Sequence, residues 1–120
     1  NVHWYCDLPS WGPLILKADL AIGAGGATTW ERLCLGLPSI VISTSENQRP
    51  VASDLHKLGL VQWIGHVDEV NIEIIESELE RNFSTQNLHK WSKRCLKECS
   101  GDGTAIVLEK LISICETRNT

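Results

Sequence analysis

The feature that most constrains this chain is a glycine-rich stretch between a short apolar run and a helical pattern. Residues 19–22 read as a buried strand, and residues 23–31 follow directly with the order Gly-Ala-Gly-Gly-Ala-Thr-Thr-Trp-Glu. From Thr28 to Leu37 the residues favour a helix that ends at a Gly-Leu-Pro sequence. Where a strand, a glycine turn and a helix start meet, the first helical N–H groups lack partners, so this unit predicts an anion site.

The side chains around the turn narrow the choice of anion. Gly25 and Gly26 let a phosphate approach the backbone without meeting a Cβ, and Thr28 and Thr29 add hydroxyl donors. Glu31 follows inside the same helix, facing back toward the turn. A carboxylate there repels phosphate but suits the hydroxyl pair of a ribose, so the pattern favours a nucleotide. The alternative is that the glycines only make a tight turn.

The kind of nucleotide is less constrained by the spacing. The order departs from the dinucleotide pattern G-x-G-x-x-G because Thr28 replaces the third glycine. Glu46 lies at about the spacing of the ribose-binding acid in that pattern, so a nicotinamide-binding domain remains an alternative. The absence of G-K-[ST] excludes a P-loop. Between Lys17 and Arg32 there is no Lys or Arg, so backbone amides are expected to bind the phosphate.

Short apolar runs alternate with helical patterns along the chain, which is typical of an α/β fold. We predict a three-layer, Rossmann-like parallel sheet, with helices on both faces and right-handed crossovers. Its strands are expected near residues 2–5, 20–22, 40–42 and 62–64. Ligands bind outside the carboxyl ends of such strands, so Glu46, Asn47 and Gln48 should share one crevice with the glycine turn. The alternative for these three residues is an ordinary polar loop before the next helix.

Helical patterns also cover the second half of the chain. Helices are predicted at residues 51–58, 73–81, 84–99 and 104–116. Trp91, Cys95 and Cys99 share a core stripe in the third of these, and Ser84 is placed to cap it. The last helix is expected to turn four residues inward: Leu108, Leu111, Ile112 and Cys115. Trp11 and Cys34 are expected to pack in the core.

Composition excludes several classes of function. A chain of 120 residues with 42% apolar content predicts one soluble domain, residues 1–120. The net charge of −4 argues against nucleic acid and acidic membranes. No apolar run approaches the ~18 residues of a membrane span. Five cysteines without a C-x-x-C pair favour reduced thiols in the cytoplasm, and the scattered histidines predict no metal site.

The residues around the glycine turn resemble a known family. Residues 18–32 read Ala-Asp-Leu-Ala-Ile-Gly-Ala-Gly-Gly-Ala-Thr-Thr-Trp-Glu-Arg, followed by Leu-Gly-Leu-Pro-Ser at 35–39 and Glu-Asn-Gln at 46–48. This order is similar to the UDP-2,4-diacetamido-2,4,6-trideoxy-beta-L-altropyranose hydrolase family of pseudaminic acid biosynthesis. That family is related to the B-type (GT-B) glycosyltransferases, many of which share the simpler pattern G-G-x-x-x-x-E…G-x-P. The resemblance covers residues 11–64 well and residues 102–103 weakly.

The resemblance implies a role for each motif and no cofactor. The diphosphate is contacted by the glycine-threonine segment: Gly25, Gly26, Ala27, Thr28 and Thr29. Glu31 holds the ribose, and the loop of Glu46, Asn47 and Gln48 approaches the phosphate or the sugar. The family's catalytic histidine belongs to an N-terminal lobe that has no counterpart in this sequence. The chain is therefore expected to be the C-terminal, UDP-sugar-binding lobe of a GT-B-type protein, with no catalytic residue of its own.

Three other functions remain open at this point. The first is the C-terminal lobe of a B-type glycosyltransferase, the second a nucleotide-sugar-binding module without chemistry, and the third the nicotinamide-binding domain already named. The Glu-Asn-Gln loop favours the hydrolase over the transferase by resemblance only. A shared fold decides none of these alternatives.

Overall fold

The computed structural model describes residues 1–118 of the chain. Residues 119 and 120, which the predicted single domain includes, lie outside the described residues. Helices and strands alternate as far as α4, and two further helices follow it. The order is α1 Gly12–Lys17, β1 Ala21–Ala24, α2 Thr28–Cys34, β2 Ser39–Ser43, α3 Gln48–Lys57, β3 Gln62–His66, α4 Ile72–Asn82, α5 Thr85–Glu98 and α6 Gly103–Arg118.

The three strands form one parallel sheet in the order β1-β2-β3. Ile22 pairs with Ile40, and Ile40 pairs with Gln62, so the three predicted strands in this part of the chain lie side by side. The ladder between β2 and β3 is irregular between Val41 and Ile42. A parallel sheet flanked by helices confirms the predicted α/β, Rossmann-like fold class.

The predicted first strand, residues 2–5, is wrong. These residues form no strand, and the side chains of Val2 and Trp4 are 96% and 89% exposed. An apolar run becomes a strand only where a neighbouring strand can take up its backbone hydrogen bonds. In the described part of the chain, β1 pairs with β2 alone, and residues 2–5 have no partner strand.

The core lies between the sheet and the helices α2, α3 and α5. Its buried residues are Leu33, Ile40, Val41, Ala52, Leu55, Leu60, Val61, Trp91 and Cys95. The indole N–H of Trp91 donates to the carbonyl of Leu60 at 2.8 Å, which fixes α5 beside the start of β3. Ser84 caps α5 by accepting from the N–H of Asn87, so the predicted cap is confirmed. In the predicted core stripe, Trp91 and Cys95 are buried, whereas Cys99 is partly buried against the core.

The expectation for the last helix is also wrong. Leu108, Leu111, Ile112 and Cys115 are exposed, and no residue of α6 is buried. Ile106 and Val107 are exposed as well, so no other element of residues 1–118 covers any side of α6. The described residues extend 62 Å along their longest axis and 32 Å and 29 Å along the others.

Candidate functional site

The glycine turn connects β1 to α2 and lies against the side chain of Gln48. A Cβ on Gly25 would stand 3.3 Å from Cγ1 of Val41 and 3.5 Å from Cβ of Gln48. A Cβ on Gly26 would meet Nε2 of Gln48 at 3.6 Å. The glycine turn and the first residue of α3 therefore meet at the carboxyl ends of β1 and β2. The sequence predicted that Gln48 lies beside the glycine turn, and ligand binding there stays a prediction.

The amide of Gln48 has a fixed orientation. Its Oε1 accepts from the backbone N–H of Thr44 at 2.8 Å and from the Thr44 hydroxyl at 3.2 Å. With the oxygen held by Thr44, Nε2 is the atom nearest to Gly26, and it donates to no group among residues 1–118. Gln48 thus presents an N–H₂ donor to the glycine turn.

The backbone of the turn has both used and unused donors. The N–H of Thr29 donates to the carbonyl of Gly26 at 3.0 Å, and the N–H of Trp30 donates to that of Ala27 at 3.1 Å. By contrast, the N–H groups of Gly26 and Ala27 bond to no carbonyl in the described chain. The backbone N–H groups of Gly26 and Ala27 and the side-chain amide of Gln48 are therefore free to donate to an anion.

The two threonines differ in what they can offer a ligand. Thr29 is 2% exposed, and its hydroxyl donates to the carbonyl of Ala24 at 3.3 Å, so this side chain supports the turn from inside. Thr28 is exposed, and its Oγ1 accepts from Arg32 at 3.3 Å. Because the acceptor side of the Thr28 hydroxyl is occupied by Arg32, its own hydrogen is left to donate.

Arg32 is a residue of this site that the sequence analysis did not assign. Its side chain lies beneath the turn, with 8% of the residue exposed. The guanidinium donates from Nη2 to the carbonyl of Ala24 at 3.0 Å, and from Nε to Oγ of Ser39 at 3.0 Å. It also donates to the hydroxyls of Thr28 and Thr29, both at 3.3 Å.

The charge of Arg32 has no carboxylate hydrogen-bonded to it within the described residues. Burial lowers the pKa of Arg32, and the nearby charge of Glu31 acts in the opposite direction. A buried cation bonded only to neutral oxygens makes the region under the turn electropositive. The available signal in the sequence was the spacing of Arg32 from Thr28 and Thr29, four and three residues earlier on one helix.

Glu31, the residue before Arg32 in α2, lies beside a cavity of about 420 Å³ between α1 and α2. Its carboxylate is exposed and forms no hydrogen bond or ion pair with residues 1–118. The cavity is lined by Trp11, Leu14, Ile15, Ala18, Ala21, Ile22, Thr28, Glu31, Arg32 and Leu37. Trp11, expected in the core, is instead 45% exposed and forms part of this wall.

A second polar cluster lies at the carboxyl ends of β2 and β3. Oγ of Ser43 and Nδ1 of His66 share a hydrogen bond of 3.1 Å, and the indole N–H of Trp63 donates to the same Oγ at 3.2 Å. His66 is 7% exposed, and its Nε2 lies 3.9 Å from Oε1 of Glu46. The sequence analysis assigned His66 to no site. Its position at the end of a predicted parallel strand was the signal that could have placed it here.

Glu46 also forms an ion pair with Arg49. Nε of Arg49 lies 3.0 Å from Oε2 of Glu46, and Nη2 of Arg49 lies 3.3 Å from Oε1 of Glu69. The backbone N–H of His66, and then Arg49, lower the pKa of Glu69. Asn47 is exposed and accepts from the Ser45 hydroxyl. The three loop residues thus differ: Gln48 reaches the glycine turn, and Glu46 faces the His66 cluster.

The described residues show neither a metal-binding cluster nor a membrane-spanning helix. Residues 1–118 contain no group of three or more His, Cys, Asp or Glu side chains arranged to hold a metal ion. None of the helices in that range is both long enough and apolar enough to span a bilayer.

The chain is similar to a curated protein of polysaccharide biosynthesis. No family model matches the chain. In an alignment of 81 residues that covers 64% of its length, the chain is 32% identical to the spore coat polysaccharide biosynthesis protein SpsG of Bacillus subtilis (strain 168). The matched part corresponds to 24% of SpsG, so the chain spans about a quarter of the length of this relative.

Proposed function

We propose that this chain is the UDP-binding lobe of an enzyme that acts on nucleotide sugars. More specifically, this enzyme is a hydrolase that acts on a UDP-diacetamido-trideoxyhexose in nonulosonic (pseudaminic-type) acid biosynthesis. The enzyme has a GT-B-type architecture. The observation that carries the proposal is the convergence of donors and positive charge at the glycine turn. The similarity to SpsG, a protein named for polysaccharide biosynthesis, supports a role in sugar chemistry.

The diphosphate binds at the turn. Its oxygens accept from the free N–H groups of Gly26 and Ala27, from the Thr28 hydroxyl and from Nε2 of Gln48. Arg32 stabilises the bound charge from below without touching it. Its hydrogen bonds to the carbonyl of Ala24 and the hydroxyl of Thr28 hold the end of β1 and the start of α2 together. The turn is therefore ordered before the ligand arrives, which lowers the entropy lost on binding.

The nucleoside lies along α2. Glu31 accepts hydrogen bonds from the ribose hydroxyls, and its unpaired carboxylate needs no internal bond to be broken first. The mostly apolar cavity beside Glu31 takes the flat base, with Trp11 as its largest wall. The diphosphate thus lies at residues 26–28, the ribose at Glu31, and the base in the cavity between α1 and α2.

Titration of the chain with UDP, GDP and NADH, followed by amide NMR shifts, tests the proposal. UDP should bind most tightly and shift the amides of residues 26–28, Glu31 and Gln48, while α4 amides stay in place. A preference for NADH would favour the nicotinamide-binding alternative. Shifts confined to other parts of the chain would contradict the proposed site.

UDP binding alone does not separate a hydrolase from its alternatives, a B-type glycosyltransferase or a binding module without chemistry. All three would use the same turn and the same carboxylate. Product analysis on the whole protein separates them, because a hydrolase releases free sugar with UDP in water. A transferase needs an acceptor hydroxyl, and a binding module returns the UDP-sugar unchanged.

A further inference from the structure

The thiols of Cys34 and Cys99 lie against each other. Cys34 is the last residue of α2, Cys99 follows the last residue of α5, and their Sγ atoms are 2.7 Å apart. Both are free thiols. Although 65 residues separate them along the chain, the packing of α5 on α2 brings them together. The contact does not involve the glycine turn or the Glu31 cavity.

Solvent can reach this pair. Cys34 and Cys99 are only partly buried, and both line a cavity of about 390 Å³ at the junction of α5 and α6. Cys34 was expected to be a buried small hydrophobe, and its place in this cavity corrects that expectation. Among the other cysteines, Cys95 is 0% exposed, whereas Cys6 and Cys115 are exposed. Each thiol of the pair is therefore reachable from solvent and has a second thiol in contact with it.

We propose that Cys34 and Cys99 form an oxidation site, at which a peroxide joins them in a reversible disulfide. One sulfur attacks a peroxide oxygen, the O–O bond breaks, and a sulfenic acid and one water result. The second sulfur attacks the sulfenic sulfur and releases another water. Two thiols lose two electrons and two hydrogens, and hydrogen peroxide becomes two waters.

The contact between the thiols also affects the reactivity of Cys34. The pKa of Cys34 is raised to about 11, chiefly because its thiol is hydrogen-bonded to Cys99 and also through burial. Near neutral pH, Cys34 therefore keeps its proton and reacts slowly with peroxide, because the thiolate is the nucleophile.

The disulfide would join the end of α2 to the residue after α5. Because α2 begins at the glycine turn, the bond would restrain the helix that carries Thr28, Glu31 and Arg32. A link across 65 residues also restricts the unfolded chain, so the oxidised protein should melt at a higher temperature than the reduced one.

Peptide mapping tests the proposal directly. The folded chain is treated with hydrogen peroxide, unfolded, alkylated with iodoacetamide and digested. Two of the five thiols should escape alkylation, and one linked peptide pair should contain Cys34 and Cys99. Dithiothreitol should restore both sites. If Cys34 and Cys99 stay fully alkylated while other cysteines oxidise, the proposal is wrong.

Two controls test whether the link forms because Cys34 and Cys99 are close in the folded chain, and not because all cysteines react with peroxide. Cys34→Ser should abolish the linked pair, whereas Cys115→Ser, which removes an exposed thiol, should leave it unchanged. The link should also form at least ~10-fold faster in the folded chain than in urea, because folding supplies the effective concentration. Equal rates in the folded and unfolded chain would overturn the proposal, even if the Cys34→Ser variant fails to fold.

Discussion

Gly23 lies directly against the guanidinium group of Arg32. A Cβ at residue 23 would stand 2.8 Å from Nη1 and 3.2 Å from Cζ of Arg32. The first glycine of the motif is therefore needed for a buried arginine to pass under the turn, and not for the ligand. Gly25 and Gly26 keep the side facing Gln48 open. One short motif thus serves two purposes, the support of the turn and the access of an anion.

Gly23→Ala should destabilise the chain because the added methyl group pushes Arg32 away from its acceptors. Overpacking of this kind costs about 1–3 kcal/mol. Gly26→Ala is the matched control, since its Cβ would meet Gln48 at an ordinary 3.6 Å. Urea unfolding measures both variants without ligand. Equal unfolding free energies for the two variants would show that Arg32 moves aside without loss.

Glu31→Ala should weaken UDP binding. Loss of a hydrogen bond to a charged group costs about 1.5–3 kcal/mol, which corresponds to an increase in Kd of roughly tenfold to a hundredfold. Isothermal titration calorimetry gives the Kd directly. Glu76→Ala removes an exposed carboxylate from α4 and should leave the Kd unchanged. If the Kd of folded Glu31→Ala equals that of the wild type, the carboxylate does not bind the ribose.

Cys95 should make stability fall at alkaline pH. Burial raises the pKa of its thiol from 9.0 to about 11, because the thiolate is disfavoured inside the core. A raised pKa means that the protonated folded state is stabilised below pH 9 and that this contribution is lost as pH rises toward 11.

The comparison of Cys95→Ala with the wild type isolates this effect. The unfolding free energy of the variant, followed by urea titration from pH 8 to 11, should fall less steeply with pH. Replacement of the exposed Cys115 by alanine should leave the wild-type slope. Parallel curves for Cys95→Ala and wild type would mean that the buried thiol does not titrate in this range.

Much of the fold follows from local pattern. The run of residues 40–42 is β-branched and apolar, and it forms the central strand with Ile40 and Val41 buried. The order strand, glycines and helix predicted the turn, and the general rule for parallel sheets placed Gln48 beside it. These features depend on neighbours in sequence or on topology, both of which a single sequence carries.

The features that the sequence did not reveal depend on tertiary contacts. Arg32 resembles any helical arginine until its acceptor Ser39, seven residues later, is placed beside it. His66 becomes part of a polar cluster only because β3 pairs with β2, which places it beside Ser43. Residues 2–5 looked like a strand because a pattern cannot show whether a partner strand lies beside them, and residues 1–118 provide none.

Ser43→Ala should destabilise the end of the sheet. Ser43 is completely buried, and its hydroxyl connects the indole of Trp63 with Nδ1 of His66. Trp63 keeps a second acceptor, the carbonyl of Gly65 at 3.0 Å, but Nδ1 of His66 loses its partner. A buried polar atom left unpaired costs about 1–3 kcal/mol.

The control for this change is Ser45→Ala, in the exposed loop after β2. Its unfolding free energy should stay close to that of the wild type. The imidazole ¹⁵N shifts of His66 give a second readout, since they should change in Ser43→Ala and not in Ser45→Ala. Unchanged stability together with unchanged shifts in Ser43→Ala would mean that the hydrogen bond contributes nothing.

The last prediction is that this chain alone hydrolyses no UDP-sugar. Cleavage by water needs a base or acid within hydrogen-bond reach of the water or the leaving group. Glu31 is assigned to the ribose, and Glu46 is paired with Arg49 at 3.0 Å. His66 is buried, with Nδ1 bonded to Ser43, and its route to a substrate leads through Glu46. Residues 23–48, which form the proposed site, contain no histidine.

Incubation of the purified chain with the UDP-diacetamido-trideoxy sugar, followed by an assay of free UDP, tests this prediction. Release should equal the rate in buffer, because the reactive centre of a two-lobed enzyme lies between its lobes and needs groups from both. Glu46→Gln keeps the shape of the side chain and removes its charge, so it is the decisive variant. Turnover above the buffer rate that disappears in Glu46→Gln would contradict the prediction and make Glu46 the base, with His66 and Arg49 holding it in place.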